Sequence, residues 1–177
     1  MLKVRNGDLD KMGLLFERHH RPLLGYLFHM TANRELSEDL VQNVFYRMLK
    51  YRHTFRGDGE FRAWMYHVAR NAIHDEGRTA KRTIRPQELE GFEERIAGGV
   101  LADEQVQKKQ ELRALKQALA GLSEENREIL VLSRFQEMKY HEIALVMDIS
   151  EGAVKVRVHR ALQQLKNIYL KMESNEM

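Results

Sequence analysis

The sequence predicts an all-α protein of two small helical domains joined by an acidic linker. Three observations carry that expectation. Only 2 prolines and 11 glycines occur in 177 residues, so few positions break a helix. Apolar residues recur at helical spacing along most of the chain, and no run shows the alternation that a half-buried strand needs. Charge is unevenly divided. Residues 1–85 hold 16 Lys and Arg against 10 Asp and Glu, residues 86–108 hold 2 against 6, and residues 109–177 hold 11 against 10. A basic part, an acidic part and a near-neutral part suggest a first domain at 1–85 facing a polyanion, a linker at 86–103 and a second domain at 104–177.

The first helix is expected from about Leu9 to Met30, with Leu15, Phe16, Leu23, Leu24, Leu27 and Phe28 as its apolar residues. Pro22 lies inside it and is expected to kink or interrupt it. The second follows in NRELSEDLVQNVFYRMLKYR, where Ser37 is the expected N-cap and Glu38 and Asp39 complement the positive helix end. Leu40, Val44 and Met48 repeat every four residues, as do Val41, Phe45 and Leu49, so one face belongs to a core. After the glycine-containing turn TFRGDGEF, Phe61, Trp64, Met65, Val68, Ala69, Ala72 and Ile73 make a second apolar stripe. Arg62, Tyr66 and Arg70 then fall on one flank of it, and Trp64, His67, Asn71 and His74 on the other.

The stretch from Pro86 to Asp103 is acidic, contains Gly98-Gly99 and has no sustained period, as a linker would. Helical period resumes at Val106, Leu112, Leu115 and Leu119. Gly121 ends that helix, and Ser123 caps the next, which carries Ile129, Leu130 and Leu132. Two last helices, KYHEIALVMD and EGAVKVRVHRALQQLK, meet at a tight turn at Ile149-Ser150.

Several function classes fall away. The chain has no cysteine, which excludes disulfides, thiolate metal sites and cysteine nucleophiles and fits a reducing cytoplasm. The first twenty residues lack the pattern of a signal peptide, and no apolar stretch nears the roughly 18 residues of a membrane span, so a soluble protein is expected. His141-Glu142 begins like a zinc-protease motif, but Leu145 stands where the second histidine belongs. Gly57 and Gly59 begin like a dinucleotide fingerprint, but Arg62 stands where the third glycine belongs. The 8 histidines are scattered. No catalytic residue, metal site or cofactor is assigned.

The last two helices are more specific. In a helix-turn-helix the first helix needs a small residue where the second crosses it, and Ala144 occupies that place. Ile143, Met147, Ile149, Val154 and Val158 fall at the apolar positions. Asp148 sits in the turn, and Asp tolerates a left-handed conformation. Val154, Val158, Ala161, Leu162 and Leu165 point inward. Lys155, Val156, His159 and Arg160 point outward from the N-terminal half, the part that enters a major groove.

On these residues a resemblance becomes specific. LSEENREILVLSRFQEMKYHEIALVMDISEGAVKVRVHRALQQLK resembles region 4 of an extracytoplasmic-function sigma factor of bacterial RNA polymerase. SEDLVQNVFYRMLK resembles region 2.2, and FRGDGEFRAWMYHVARNAIHDEGRTAKR resembles regions 2.3 and 2.4. Nearly the whole chain is covered, in order. Two positions depart from the family pattern. Lys139 stands where a capping Ser or Thr is frequent, which implies a weakly capped helix, and Asn43 stands where an acidic residue is usual. Counterparts of regions 1.1 and 3 of housekeeping sigma factors are not expected.

The resemblance implies partners and site residues. Asp39, Gln42, Asn43, Arg47 and Lys50 would dock on the coiled-coil of the polymerase β′ clamp, and region 4 on the β flap. Phe55, Phe61, Arg56 and Asn71 would capture a base flipped from the melted −10 strand, since an unstacked base needs apolar walls, polar groups and nearby cations. Trp64 would support that wedge, while Arg62 and Arg70 would hold backbone phosphates. Lys155, Val156, His159 and Arg160 would read the −35 duplex. The acidic linker would thread through polymerase channels built for nucleic acid, and an anti-sigma factor is the expected inhibitor. Two rival readings stay open here. One is a regulator that binds DNA alone and dimerises through its first domain, and the other is a metal-dependent nucleic-acid enzyme that uses the histidines.

Overall fold

The computed structural model describes residues 1–57, 60–80 and 113–175. The expected linker at 86–103, its Gly98-Gly99 pair, Val106 and Leu112 lie outside the described residues. No strand occurs among the described residues, and the all-α expectation holds.

Two helical bundles are present. In the first, α1 (Leu2–Arg5) precedes α2 (Lys11–Thr31), α3 (Arg34–Lys50), a 3₁₀ turn (Arg52–Thr54) and α4 (Phe61–Ala80). The second holds a helix α5 over residues 113–120, then α6 (Glu124–Leu130), α7 (Tyr140–Met147) and α8 (Glu151–Asn175). Within the first bundle α2 packs on α3 and α3 on α4; within the second α8 packs on α6 and α7. The bundles also pack on each other, chiefly α4 against α7, so that their buried side chains form one continuous cluster.

Helix α2 is not interrupted at Pro22. The missing N–H forfeits one bond to the preceding turn. Pro22 itself is exposed, while Leu23, Tyr26 and Leu27 just beyond it are fully buried and hold the helix through that loss. Helix α3 begins earlier than expected. Its cap is Asn33, whose side chain accepts from the Leu36 N–H at 3.0 Å, a contact worth about 1 kcal/mol. Ser37, the expected cap, is instead fully buried and donates to the Asn33 carbonyl. Left-handed Ala32, at φ 52°, makes the corner between α2 and α3, a conformation unusual for alanine and unreadable from its side chain.

Both expected stripes are core. Leu40, Val41, Val44, Phe45 and Met48 are buried on α3, and Met65, Ala69 and Ala72 on α4. Tyr66 is the exception to the flank assignment. It is buried, not solvated, because the second bundle covers its side of α4.

Ser123 caps α6 as expected, its hydroxyl accepting from Asn126 N–H at 3.4 Å. A π-helical turn over Val131–Phe135 follows without a break. Lys139 contributes no side-chain cap, yet α7 is not left bare. The Glu142 carboxylate turns back and accepts the Lys139 N–H at 2.8 Å, one half of a capping box. Asp148 is left-handed at φ 54° and ψ 50°, and Ser150 accepts from Ala153 N–H at 3.2 Å to start α8.

Candidate nucleic-acid interface

The helix-turn-helix stands as its spacing predicts. Ile143, Met147, Val154, Val158 and Ala161 are buried between α7 and α8, and Ala144 is partly buried at their approach. Lys155, Val156, His159 and Arg160 all lie exposed along the first turns of α8. Val156 is 51% exposed, a large apolar residue kept in water on an otherwise polar row. Lys155 lies 3.5 Å from Glu151 one turn back, a surface pair of little strength that a phosphate or base edge can displace. Arg157, in the middle of that row, is instead paired with Glu125 at 3.2 Å.

The second candidate surface surrounds the turn before α4. Phe55, buried, meets Trp64 with ring centroids 5.3 Å apart and Phe61 at 6.1 Å. A cavity of about 300 Å³ opens beside them, lined by Thr54, Phe55, Arg56, Gly57, Glu60, Ala63, Trp64, His67 and, from α7, Leu145. Three of the expected −10 residues, Phe55, Arg56 and Trp64, therefore share one apolar-walled recess with a cation at its rim. Phe61 is not on that wall. Its ring packs against His19 of α2 at 5.0 Å and helps hold Trp64. Asn71 is exposed further along the same helix flank, outside the cavity lining.

Arg62 and Arg70 lie on the opposite flank and do not face solvent freely. Arg62 donates to the backbone carbonyl of Gln136, and Arg70 to the carboxylate of Glu128 at 3.1 Å. Glu128 also accepts from Tyr26 OH at 2.8 Å, and Gln136 accepts through its side chain from Tyr66 OH at 2.6 Å. Burial pushes both phenols up, and for Tyr26 the neighbouring Glu128 charge adds to it, so both remain donors at any physiological pH.

The five residues expected to meet the polymerase clamp all belong to α3. Asp39, Gln42 and Lys50 are exposed. Asn43 and Arg47 are partly buried and have local partners: Asn43 Oδ1 accepts from Arg47 Nε at 2.9 Å, and Arg47 reaches Asp75 of α4 at 2.6 Å. Asn43 thus orients an arginine rather than standing idle on the surface.

Residues 15–83 match the Sigma-70 region 2 family and residues 112–165 the Sigma-70 region 4 family. The RNA polymerase sigma factor CarQ of Myxococcus xanthus is 30% identical over 173 residues, covering 98% of this chain and 97% of that protein. The ECF RNA polymerase sigma factor SigX of Bacillus subtilis is 30% identical over 157 residues, covering 86% and 80%. The chain belongs to the extracytoplasmic-function sigma factors.

Sigma factors are transcription initiation factors that bind core RNA polymerase and promoter DNA; they are not enzymes. The fold of this sigma factor is similar to that of CnrH, solved in complex with the cytosolic domain of CnrY, with a TM-score of 0.71 at 23% identity over 94% of this chain and 92% of that one. It is equally similar to RpoE of Bartonella quintana, solved with the anti-sigma factor NepR, with a TM-score of 0.71 at 21% identity over 88% and 94%. No helix among the described residues is long and apolar enough to cross a membrane, and no group of three or more His, Cys, Asp or Glu there is placed to hold a metal ion.

Several residues of the cavity region carried no role in the sequence reading, Ala63 and Leu145 among them. Thr54, Glu60 and His67 line it, and Arg5 of α1 secures it from behind by donating to the carbonyls of Phe55 and Arg56 at 3.0 and 2.9 Å. No pattern marks Arg5, because a four-residue helix has no period to read.

Proposed function

We propose that this sigma factor directs promoter-specific initiation through two DNA surfaces divided between residues 1–85 and 104–177, with residues 86–103 as the connection in the polymerase. In that reading Lys155, Val156, His159 and Arg160 of α8 read −35 duplex, and the recess at Phe55, Arg56 and Trp64 receives a base flipped from the −10 strand. The observation that carries it is the recess itself. An extruded base loses its stacking neighbours and needs aromatic faces in return, and this turn supplies Phe55 and Trp64 beside Arg56 in about 300 Å³. Phe61 supports the wall from behind, and Asn71 offers its amide to the strand as it leaves the recess.

Core polymerase would meet the exposed row Asp39, Gln42 and Lys50 of α3 at the β′ clamp, with Asn43 and Arg47 stiffening the row from beneath, and α5–α8 would meet the β flap. The protein would act in the cytoplasm, where the polymerase is. An anti-sigma factor is the expected inhibitor, a reading supported by the likeness to RpoE, which was solved with the anti-sigma factor NepR.

The test is run-off transcription with bacterial core polymerase on a library of genomic fragments. The expected result is a small set of discrete start sites that depend on the added protein. Their absence, while a control sigma factor works on its own promoter, would overturn the proposal.

A further inference from the structure

We propose that Arg5 is a positioning residue for base capture: from α1 it holds the backbone of residues 55–57 in the conformation that shapes the recess beside Phe55 and Trp64. This rests on the reading of the recess given above. Helix α1 lies ahead of the residues matched to Sigma-70 region 2. It is nevertheless fastened to the molecule, since Val4 is fully buried and α1 packs on α2 and on the 3₁₀ turn. Arg5 does not itself line the recess. Its Nη1 donates to two successive carbonyls, Phe55 O at 3.0 Å and Arg56 O at 2.9 Å, from 50 and 51 positions earlier in the chain. Beside it Leu2 covers Gly57, whose φ of 87° is left-handed, and a Cβ there would fall 2.5 Å from Leu2 Cδ2.

The chemistry is that of a guanidinium clamp on a backbone. A peptide unit is planar, so turning its carbonyl toward Arg5 also fixes where its N–H points. The unit joining Phe55 to Arg56 and the unit joining Arg56 to Gly57 are both fixed in this way, and with them the stems of the Phe55 and Arg56 side chains. Hydrogen bonds from a charged donor are stronger than those between neutral groups, so the clamp resists rotation of either unit. The turn needs support from outside, because Gly57 has more backbone freedom to lose than any other residue type. A base gains from stacking only while Phe55 and Trp64 stand ready, so its apparent affinity falls by the fraction of molecules whose turn is in place. A base that the recess rejects gains nothing from it and loses nothing when it is gone. Loss of Arg5 should therefore lower strand opening with the captured base and not with the others, which relaxes base preference.

Trp64 is the only tryptophan in the chain and meets Phe55 at 5.3 Å, so its fluorescence reports on the wall of the recess without any DNA. The full-length wild type is compared with Arg5→Ala and Arg5→Lys, first by acrylamide quenching of Trp64. The same proteins with core polymerase are then compared by permanganate reactivity of melted thymines, over single-base −10 variants of a promoter found by run-off transcription. Arg5→Ala should raise the quenching constant at unchanged helical circular dichroism. Preference at one −10 position should fall about tenfold, as for a turn whose ordered fraction drops from most of the population to a tenth. Preference at the other −10 positions and in the upstream element should stay, as should binding to core polymerase. Arg5→Lys keeps a charged donor on a shorter arm and should recover part of both losses.

A folded Arg5→Ala with wild-type quenching overturns the proposal, whatever its base preference. So does raised quenching with an unchanged −10 preference, because the order that Arg5 gives the turn would then have no effect on capture. An equal loss at every promoter position, or lost core binding, overturns it too, since Arg5 would then support the bundle as a whole. Should Arg5→Ala lose its helical circular dichroism, Arg5→Lys is held to the same outcomes. Quenching without DNA keeps the two readings apart. Raised quenching in Arg5→Ala with wild-type opening in Trp64→Ala removes the recess as the base site, and capture with it, leaving Arg5 to order a turn only. Wild-type quenching in Arg5→Ala with lost opening in Trp64→Ala removes the positioning alone.

Discussion

Helices α4 and α8 both carry arginines that are expected to meet DNA, yet these stand in opposite conditions. On α8 the row Lys155, Val156, His159 and Arg160 lies in water, restrained only by a surface pair between Lys155 and Glu151. On α4, Arg62 and Arg70 are partly buried and bonded across the bundle interface to Gln136 and Glu128. The face of α8 proposed to read duplex is exposed, whereas the flank of α4 proposed to hold the strand is part of an intramolecular contact. The difference teaches that the same guanidinium chemistry serves a protein acceptor on α4 and is left to solvent on α8, and that burial, not residue type, separates the two.

Substitutions can break that contrast, beginning with the largest effect. Glu128→Ala leaves Arg70 and the Tyr26 hydroxyl facing an emptied site, and truncating one partner of a buried pair costs about 3–5 kcal/mol. Since the Arg70 side chain is 21% exposed, the loss should fall toward the lower end, about 3 kcal/mol, in urea unfolding. A loss under about 1 kcal/mol would mean that water replaces the carboxylate with ease, and the contrast with α8 would vanish.

Arg160→Ala and Lys155→Ala should do the reverse. Folding stability should change by less than about 0.5 kcal/mol, as for surface positions without special contacts. Promoter discrimination should drop by about 1–3 kcal/mol at one upstream base pair wherever the side chain makes a bidentate base contact. A uniform loss over all sequences, with a lower salt slope, would assign the residue to phosphate instead.

Acidification sharpens the comparison from another side. His29 of α2 packs at a tilt against Phe135 of the π-helical turn with centroids 4.4 Å apart, and burial followed by the Lys116 charge lowers its pKa. The folded state thus holds the neutral ring in preference to the charged one. Its contribution is complete above the unfolded value of about 6.5 and is lost as pH falls below it, because the unfolded chain then binds the proton first. Unfolding free energies from urea titrations at pH 7.5 to 5.5 should fall, with His29 supplying no more than about 1.4 kcal/mol per pH unit and His19, whose pKa burial also lowers, adding to the slope. His29→Leu should flatten that part of the slope, and a flat wild-type profile would contradict the assignment.

Asn71→Ala should have the smallest effect on folding, since the residue is exposed and alanine is the better helix former. Binding to core polymerase should be unchanged. Run-off transcription across single-base variants of one −10 element should show relaxed preference at one position, and an unaltered profile would leave Asn71 with no role in the strand contact.

Much of this was legible because periodicity reports a buried face directly. The stripes on α3 and α4, the inward row of α8 and the left-handed Asp148 all followed from spacing and residue type. What escaped shares a different cause. Ser37 looked like a cap, but Asn33 had the better position, and the choice depends on Ala32 adopting a left-handed corner. Tyr66 looked like a flank residue because its covering partner, Gln136, lies 70 positions away in sequence. Arg62 and Arg70 looked free for the same reason. Phe61 and Trp64 sit in one stripe and cannot be told apart by period, although only Trp64 lines the recess. Interfaces between distant segments leave no local signal.

The claim on which the account turns is that the recess at Phe55, Arg56 and Trp64 holds a base while the −10 strand is open. Permanganate mapping of unpaired thymines tests it, on a promoter that the protein directs with core polymerase, comparing wild type with Trp64→Ala. Reactive thymines are expected in the −10 element with the wild type and should be lost with the variant, while both proteins still bind core polymerase. Equal thymine reactivity in a folded, polymerase-bound Trp64→Ala protein would contradict it.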